Sequence, residues 1–220
     1  MTDDLSNTPR FASPPCYAEE VPDVTALPAP EVPAWRTSQR AALIAHRLAT
    51  PVAARRDGAQ RVAQLLTDLV RPGADQTISL YWPFRAELDL RGWMQSAHEK
   101  GARIALPLVT AKAHPLEFRH WWPGCPMERG VWNIPNPAGT PSVTPKVVIA
   151  PLVGFDPACF RLGYGGGFFD RTLASLSPRP LVIGVGMEGG ALPTIHPQPH
   201  DIPMDLIVLG NGRVYRRTGG

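Results

Sequence analysis

A glycine-rich segment at residues 161–171, RLGYGGGFFDR, has the composition of a loop that binds an anion. Its glycines are closely spaced: Gly163, Gly165, Gly166 and Gly167. Glycine reaches backbone conformations that are closed to other residues, so a ligand can approach successive amide N–H groups at the positive end of the following helix. Arg161 and Arg171 add permanent positive charge on both sides, and Asp170 either stabilises the start of the helix or binds a metal ion.

The same residues exclude two common phosphate-binding motifs. No Gly-Lys-Ser/Thr follows the glycines, so the loop is not a Walker A motif, and Phe168 stands where the dinucleotide fingerprint requires a third glycine. On composition alone, a glycine-rich turn with a purely structural role stays open as an alternative. The flanking arginines favour the anion site.

The elements around this loop predict a single α/β domain. Residues 146–155 form an apolar run typical of a buried strand, and residues 168–176 form a helix, so the loop lies at a strand's carboxyl end, where open α/β sheets bind ligands. Further helices are predicted over residues 35–49, 51–70 and 88–100, and further strands over residues 77–81, 103–106, 181–185, 206–209 and 214–215. This alternation predicts a three-layer α/β/α fold with a mostly parallel open sheet. Proline-rich residues 1–33 are expected to be a disordered tail, and residues 34–220 the domain.

Composition and charge exclude several other classes of function. With 220 residues, 44% hydrophobic content and a net charge of +3, the chain can bury one core but lacks the basic stripes of a nucleic-acid binder. No secretion signal or bilayer-spanning stretch is recognisable. Cys16, Cys125 and Cys159 have neither disulfide nor zinc spacing, which favours a reducing compartment. We therefore expect a cytoplasmic monomer with small-molecule partners, no nucleic acid and no membrane.

Two other segments carry side chains that suit an anionic, aromatic ligand. Arg36, Arg40 and Arg47 share one face of the first helix, where they either bind a nucleotide or are simply solvated. The segment YWPFRAE at residues 81–87 has aromatic rings that stack on a flat heterocycle, and Glu87 accepts hydrogen bonds from ring N–H groups. The alternative is ordinary core aromatics followed by an acid at a helix start.

Two proline-rich turns are weaker candidates. In HPQPHDIPMD, residues 196–205, the prolines exclude a helix and hence a helical zinc pair of histidines. Asp201 approaches Asp170 if this turn also lies at the carboxyl edge of the sheet, and two carboxylates with phosphate oxygens form a magnesium site. The turn WNIPNP at residues 132–137 is interpreted as a packing tryptophan in a rigid loop.

In their order along the chain, these segments resemble the 5-formyltetrahydrofolate cyclo-ligases, also called 5,10-methenyltetrahydrofolate synthetases. The resemblance covers about residues 35–215 and depends mainly on the block PLVGFD…RLGYGGGFFDR, with support from Arg36 and Arg40, YWPFRAELD, WNIPNP and HDIPMD. It implies a NagB/RpiA/CoA-transferase-like fold. It also implies an enzyme that uses ATP and Mg²⁺ to cyclise 5-formyltetrahydrofolate to 5,10-methenyltetrahydrofolate through a phosphorylated formyl intermediate, releasing ADP and phosphate.

The resemblance also implies a role for each matching residue. It assigns ATP binding to Arg36, Arg40, Arg161, Gly163, Gly165, Gly166, Gly167, Phe168 and Phe169. It assigns substrate binding to Trp82, Glu87 and Tyr164, magnesium to Asp170 and Asp201, and catalysis to Arg161 and Asp170. The family usually has lysine in place of Arg36, often tyrosine in place of Phe169, and in many members an acid in place of Asn136.

Two other functions remain open. One is a binding protein for folate or nucleotide that has lost turnover, against which the presence of Glu87, Asp170 and Asp201 argues. The other is a different phosphate-handling enzyme on the same fold, which would need neither an acid nor aromatic side chains placed for a pterin.

Overall fold

The computed structural model describes residues 31–217. The helices are α1 (Val32–Ala49), α2 (Val52–Val70), α3 (Arg91–Glu99) and α4 (Phe168–Ser175). The strands are β1 (Thr77–Ser79), β2 (Arg103–Leu108), β3 (Glu117–Trp121), β4 (Met127–Arg129), β5 (Pro135–Pro137), β6 (Val147–Pro151), β7 (Gly154–Phe155), β8 (Arg161–Leu162), β9 (Leu181–Gly186), β10 (Leu206–Leu209) and β11 (Val214–Arg216). Short 3₁₀ turns cover Val131–Asn133 and Glu188–Gly190.

Seven strands form one sheet in the order β11-β10-β9-β6-β1-β2-β3. The five inner strands pair in parallel, and the two edge strands pair antiparallel to their neighbours. This confirms the predicted mostly parallel sheet. Sheet growth reverses between β1 and β6, because β2 lies on one side of β1 and all later inner strands lie on the other. A crevice outside the carboxyl ends of such strands is the usual ligand site of an open α/β sheet.

Helices cover both faces of the sheet, which confirms the three-layer architecture. Along β6, Val147 and Ile149 pack with residues of α2 and α3, while Val148 and Ala150 pack with Leu173 of α4 on the other face. Side chains alternate between faces along a strand, so a strand buried on both sides reads as one continuous apolar run. No helix within residues 31–217 has the length and apolar character needed to cross a bilayer.

Several element boundaries differ from the sequence-based expectation. The strand predicted over residues 146–155 ends at Pro151, after which β7 leaves the main sheet and pairs with β8. The third helix begins at Arg91 rather than at residue 88. Strands β3, β4 and β5 were not predicted, because their short polar sequences lack a clear apolar alternation.

The amino-terminal tail and the cysteines are described only in part. Residues 1–30 of the predicted tail, including Cys16, lie outside the described residues, and α1 begins at Val32 because Pro33 is compatible with a first helical turn. Cys125 and Cys159 are buried free thiols. Burial raises the pKa of Cys159, which keeps the thiol protonated and unreactive.

Candidate active site

One pocket at the carboxyl edge of the sheet brings together every residue that the sequence assigned to a site. They are Arg36, Arg40, Trp82, Glu87, Arg161, Gly163, Tyr164, Gly165, Gly166, Gly167, Phe168, Phe169, Asp170 and Asp201. Helix α1, the turn after β1, the loop between β8 and α4, and the turn before β10 each contribute part of the wall. The pocket therefore lies at the crevice between β1 and β6.

The glycine loop, residues 163–167, keeps its amide groups available. Among the described residues, no backbone N–H from Gly163 to Asp170 donates to a protein acceptor. Gly165 and Gly167 have φ of 95° and 61°, in the left-handed region that favours glycine. The loop is held through its carbonyls instead, because Arg40 Nε donates to Gly163 O at 2.8 Å and Arg171 donates to Gly166 O. Free amides at a helix start are the donors that a phosphate requires.

Three arginines give this end of the pocket a positive potential. Arg36 and Arg161 are each only 9% exposed, so the solvated interpretation of the first helix is wrong for Arg36. Burial, followed by the neighbouring charge of Arg36, lowers the pKa of Arg40. The terminal nitrogens of Arg40 have no hydrogen-bond acceptor among residues 31–217. Partly desolvated cations with free donors suit an anionic ligand such as a polyphosphate.

The two candidate metal ligands, Asp170 and Asp201, differ in the lengths of the hydrogen bonds that they accept from the protein. Asp170 accepts long hydrogen bonds, both 3.3 Å, from Arg161 Nη2 and the Ile202 amide. Asp201 Oδ2 is 2.5 Å from Arg36 Nη2 and accepts the Gln198 amide at 2.7 Å. Burial, the largest single influence, raises the pKa of Asp201, but the hydrogen bonds from Arg36 and the Gln198 amide and the positive charge of Arg36 together outweigh it, so the pKa is lowered and the carboxylate stays charged.

These carboxylates fit a magnesium ion that arrives with a phosphate ligand. Residues 31–217 contain no group of three or more His, Cys, Asp or Glu side chains that could hold a metal ion by themselves. Magnesium commonly binds through one or two carboxylates, with substrate phosphates and waters completing its shell. Asp170 has weaker protein contacts than Asp201, so it is the better-placed ligand of the two.

The other end of the pocket contains a buried carboxylate, Glu87. Burial raises its pKa to about 7, although Arg47, the Phe84 amide and the Tyr164 hydroxyl all act to lower it. The Phe84 amide and the Tyr164 hydroxyl donate to Glu87, each at 2.9 Å. Glu87 lies in a tight turn before Leu90, not at a helix start, so the helix-dipole interpretation is wrong. A carboxyl group that titrates near neutral pH can both accept hydrogen bonds and exchange a proton.

Aromatic rings form the wall between Glu87 and the glycine loop. Phe84 and Trp132 are nearly parallel, with centroids 6.4 Å apart, and both lie near Tyr164. Trp132 is 52% exposed and has φ of 56°, so it lies at the rim of the pocket and is not the packing tryptophan that the sequence suggested. Rings at this spacing suit a flat heterocyclic ligand. Phe84 belongs to the aromatic segment that the sequence singled out for stacking, whereas Trp132 is a pocket residue that sequence reasoning missed.

Glu87→Gln is expected to change how stability depends on pH. The folded-state pKa of about 7 exceeds the unfolded value of about 4.3, so the unfolded chain releases its proton first. Stability from the protonated carboxyl is therefore complete below about pH 4.3 and is lost as the pH rises to about 7. Relative to the variant, the wild-type free energy of unfolding should fall by about 4 kcal/mol over that window.

Urea unfolding at a series of pH values measures this difference. Glu99→Gln removes an exposed carboxylate on α3 and serves as the control, with a nearly constant difference from wild type. A wild-type curve parallel to that of Glu87→Gln would show that Glu87 titrates at its ordinary pKa.

Comparison with known proteins finds a family model and curated relatives that match this chain. The model of the 5-formyltetrahydrofolate cyclo-ligase family matches residues 32–210. A 5-formyltetrahydrofolate cyclo-ligase from Mycolicibacterium smegmatis is 30% identical over 185 residues, covering 80% of this chain and 94% of the relative. One from Haemophilus influenzae is 28% identical over 158 residues, covering 69% and 84%.

Solved structures show a shared fold. The NMR structure of Aquifex aeolicus 5,10-methenyltetrahydrofolate synthetase matches with a TM-score of 0.72 at 24% identity, covering 84% of this chain and 94% of that one. A 5,10-methenyltetrahydrofolate synthetase from Mycoplasma pneumoniae matches with a TM-score of 0.64 at 22% identity, covering 78% and 96%.

Proposed function

The chain belongs to the 5-formyltetrahydrofolate cyclo-ligase family, and we propose that it converts 5-formyltetrahydrofolate and ATP to 5,10-methenyltetrahydrofolate, ADP and phosphate. The observation that supports this most directly is the row of free amides from Gly163 to Asp170 beside Arg40 and Arg161. The same pocket contains the Glu87 carboxyl beside aromatic side chains, and a pterin ring requires this combination of a hydrogen-bond acceptor and stacking surfaces. One cavity therefore offers a phosphate site and a heterocycle site.

In this proposal the glycine loop and the arginines bind the triphosphate. The N–H groups of the loop and the first turn of α4 donate to phosphate oxygens, and the free terminal nitrogens of Arg40 add charge-assisted hydrogen bonds. Arg36 contributes from the same helix face, although its guanidinium is also paired with Asp201. The rings of Phe168 and Phe169 line the pocket beside the loop.

Asp170 and Asp201 are the proposed magnesium ligands. A bound magnesium ion would neutralise phosphate charge and orient the triphosphate for transfer. Asp170 offers oxygens with only long protein contacts, and Asp201 becomes a ligand when Arg36 turns to a phosphate group. The positive charge of Arg161 balances the negative charge of Asp170.

The folate is proposed to bind between the aromatic wall and Glu87. Trp82 and Tyr164 line this half of the pocket, and the Glu87 carboxyl faces the ligand's ring N–H groups. A buried carboxyl group with a pKa of about 7 also provides a place for the proton that the attacking nitrogen loses during ring closure.

The proposed reaction has two steps. First, the formyl oxygen attacks the terminal phosphorus of ATP, the bond to the bridging oxygen breaks, and ADP leaves. Next, the other folate nitrogen attacks the activated formyl carbon and loses its proton, and the carbon–oxygen bond to phosphate breaks as the ring closes. Transfer of this kind needs mainly positioning and charge neutralisation, so the lack of a nucleophilic serine or cysteine in the described pocket is consistent with it.

Purified protein with 5-formyltetrahydrofolate is expected to develop methenyltetrahydrofolate absorbance only when both ATP and magnesium are supplied. Omission of either component is the control. Product without ATP would disprove the phosphorylation step. Nucleotide and folate binding without product would support the non-catalytic paralogue, and no binding of either would support a different phosphate-handling enzyme on this fold.

We also propose that the protein acts in the cytoplasm and as a monomer. The buried free thiols Cys125 and Cys159 are consistent with a reducing compartment. Sedimentation analysis of the purified full chain tests the oligomeric state.

A further inference from the structure

Arg47 is a buried arginine that contacts three separate chain segments around the pocket. It projects from the last turn of α1 and is only 5% exposed. Its Nε donates to Arg85 O at 3.0 Å in the turn after β1, and Nη1 donates to Leu152 O at 3.4 Å after β6. Its Nη2 donates to the Tyr164 hydroxyl in the glycine loop. A planar guanidinium fixed at several points is a rigid support, because few of its rotamers satisfy all of these acceptors.

Tyr164 connects this support to the carboxylate of Glu87. Its hydroxyl accepts from Arg47 and donates to Glu87 Oε1 at 2.9 Å. Arg47 Nη1 is itself 4.0 Å from the same carboxylate oxygen. Tyr164 stands between Gly163 and Gly165, so one side chain of the glycine loop is in direct contact with Glu87 at the opposite end of the pocket.

We infer that Arg47 is a positioning residue that holds the Tyr164 hydroxyl and, through it, the Glu87 carboxylate. The glycine loop and Glu87 thereby keep a fixed distance and orientation relative to each other. The inference rests on the proposed function for the identity of the ligands at the two ends. Arg47 itself does not line the cavity wall, whereas Tyr164 and Glu87 do, so Arg47 acts through these two side chains and not on the substrate itself.

The arrangement also sets the charge state of Glu87. The charged or titratable groups that influence it are Arg47 from α1, Tyr164 from the glycine loop, Arg161 from β8 and Tyr81 from the turn after β1. Of these, Arg47, Tyr164 and Arg161 favour the ionised carboxylate against its burial, and Arg47 has the largest effect of the three. Loss of Arg47 or of the Tyr164 hydroxyl should therefore raise the pKa of Glu87 further.

An NMR titration of the ligand-free full chain, labelled with ¹³C at the glutamate carboxyl carbons, tests this without any need for activity. The Glu87 signal is assigned by its loss in Glu87→Gln. We expect a wild-type midpoint of about 7, and midpoints higher by about 1 pH unit in Arg47→Met and in Tyr164→Phe. The double variant should shift by less than the sum of the two, because both side chains act on the same carboxylate oxygen.

Two further variants keep the test decisive. Arg47→Lys retains the charge but not the fork, so its midpoint should lie between those of wild type and Arg47→Met. Arg61→Met is the control, because Arg61 also donates to a backbone carbonyl, Gly210 O at 2.7 Å, but lies outside the pocket. If Arg47→Met does not fold, Arg47→Lys and Tyr164→Phe decide together: a raised Glu87 midpoint in both supports the inference, and an unchanged midpoint in Arg47→Lys overturns it.

Kinetics separate this inference from the proposed function. If the wild type cyclises 5-formyltetrahydrofolate, the acidic limb of kcat/KM should move to higher pH in Arg47→Met and Tyr164→Phe in parallel with the NMR midpoints. A wild type without turnover would disprove the proposed function. The NMR titration would then still test the contacts between Arg47, Tyr164 and Glu87, because it does not depend on activity. Unchanged Glu87 midpoints in Arg47→Met and Tyr164→Phe would overturn the inference, whatever the enzyme's activity.

Discussion

Asp170→Asn is expected to lower kcat by about 10²–10³-fold while the protein stays folded. The variant is nearly isosteric, and its single amide oxygen can keep one of the two long hydrogen bonds that Asp170 accepts on different oxygens, from the Ile202 amide or from Arg161. It loses the negative charge that the proposed magnesium ion requires at the start of α4. Phosphoryl transfer depends on charge neutralisation and positioning, so the loss should appear in kcat and in the magnesium concentration needed for half-maximal rate.

Steady-state kinetics over a range of magnesium concentrations, together with a thermal unfolding curve, measure these effects. Asp68→Asn removes an exposed carboxylate on α2 and should leave both kinetic constants unchanged. Near-normal turnover in Asp170→Asn would mean that the carboxylate only stabilises the start of α4. A large drop in melting temperature would instead indicate that its charge mainly balances Arg161.

Much of the fold could be predicted from the sequence because its signals are local. The apolar run of residues 147–151 and the glycines that follow it place a loop at a strand end, and the parallel sheet then places that loop at the carboxyl edge. The antiparallel strand β3 pairs with β2, where Ile104 lies opposite Trp121, and among the described residues the short strands β4 and β5 pair only with each other. Their own short sequences do not specify that pairing, so sequence reasoning missed them.

The residues of the candidate site were predictable, but their mutual contacts were not. The segments bearing Arg36 and Asp201 were both singled out, one for nucleotide and the other for metal, yet the structure pairs the two side chains with each other. The separation of 165 positions between them leaves no local signal of that contact. The same holds for Arg47, whose place on the arginine face of α1 was evident but whose link to Tyr164 and Glu87 depends on three loops meeting.

Arg161→Met is expected to lower kcat by about 10³-fold, because Arg161 has the features of an arginine whose best acceptors belong to a ligand. Its contacts within the protein are long, 3.3 Å to Asp170 and 3.4 Å to Pro151 O, and its Nε is buried without a partner among the described residues. A buried donor left unpaired is costly, so it generally indicates a missing partner or a functional role. A phosphoryl group passing between ATP and the formyl oxygen would supply that partner.

Arg161→Lys separates charge from geometry in this argument. Lysine keeps the positive charge but cannot reproduce the planar, two-pronged guanidinium, so kcat should lie between the values for wild type and Arg161→Met. The KM for ATP should change by a smaller factor than kcat does. Arg119→Met serves as the control, since Arg119 is half-buried and paired with Glu117 at 2.9 Å on the edge strand, outside the pocket. Loss of kcat in Arg161→Met with KM for ATP unchanged would place the contribution of Arg161 in the transition state. A rise in KM alone would show that Arg161 only helps to bind the nucleotide, and would contradict its assignment as a catalytic residue.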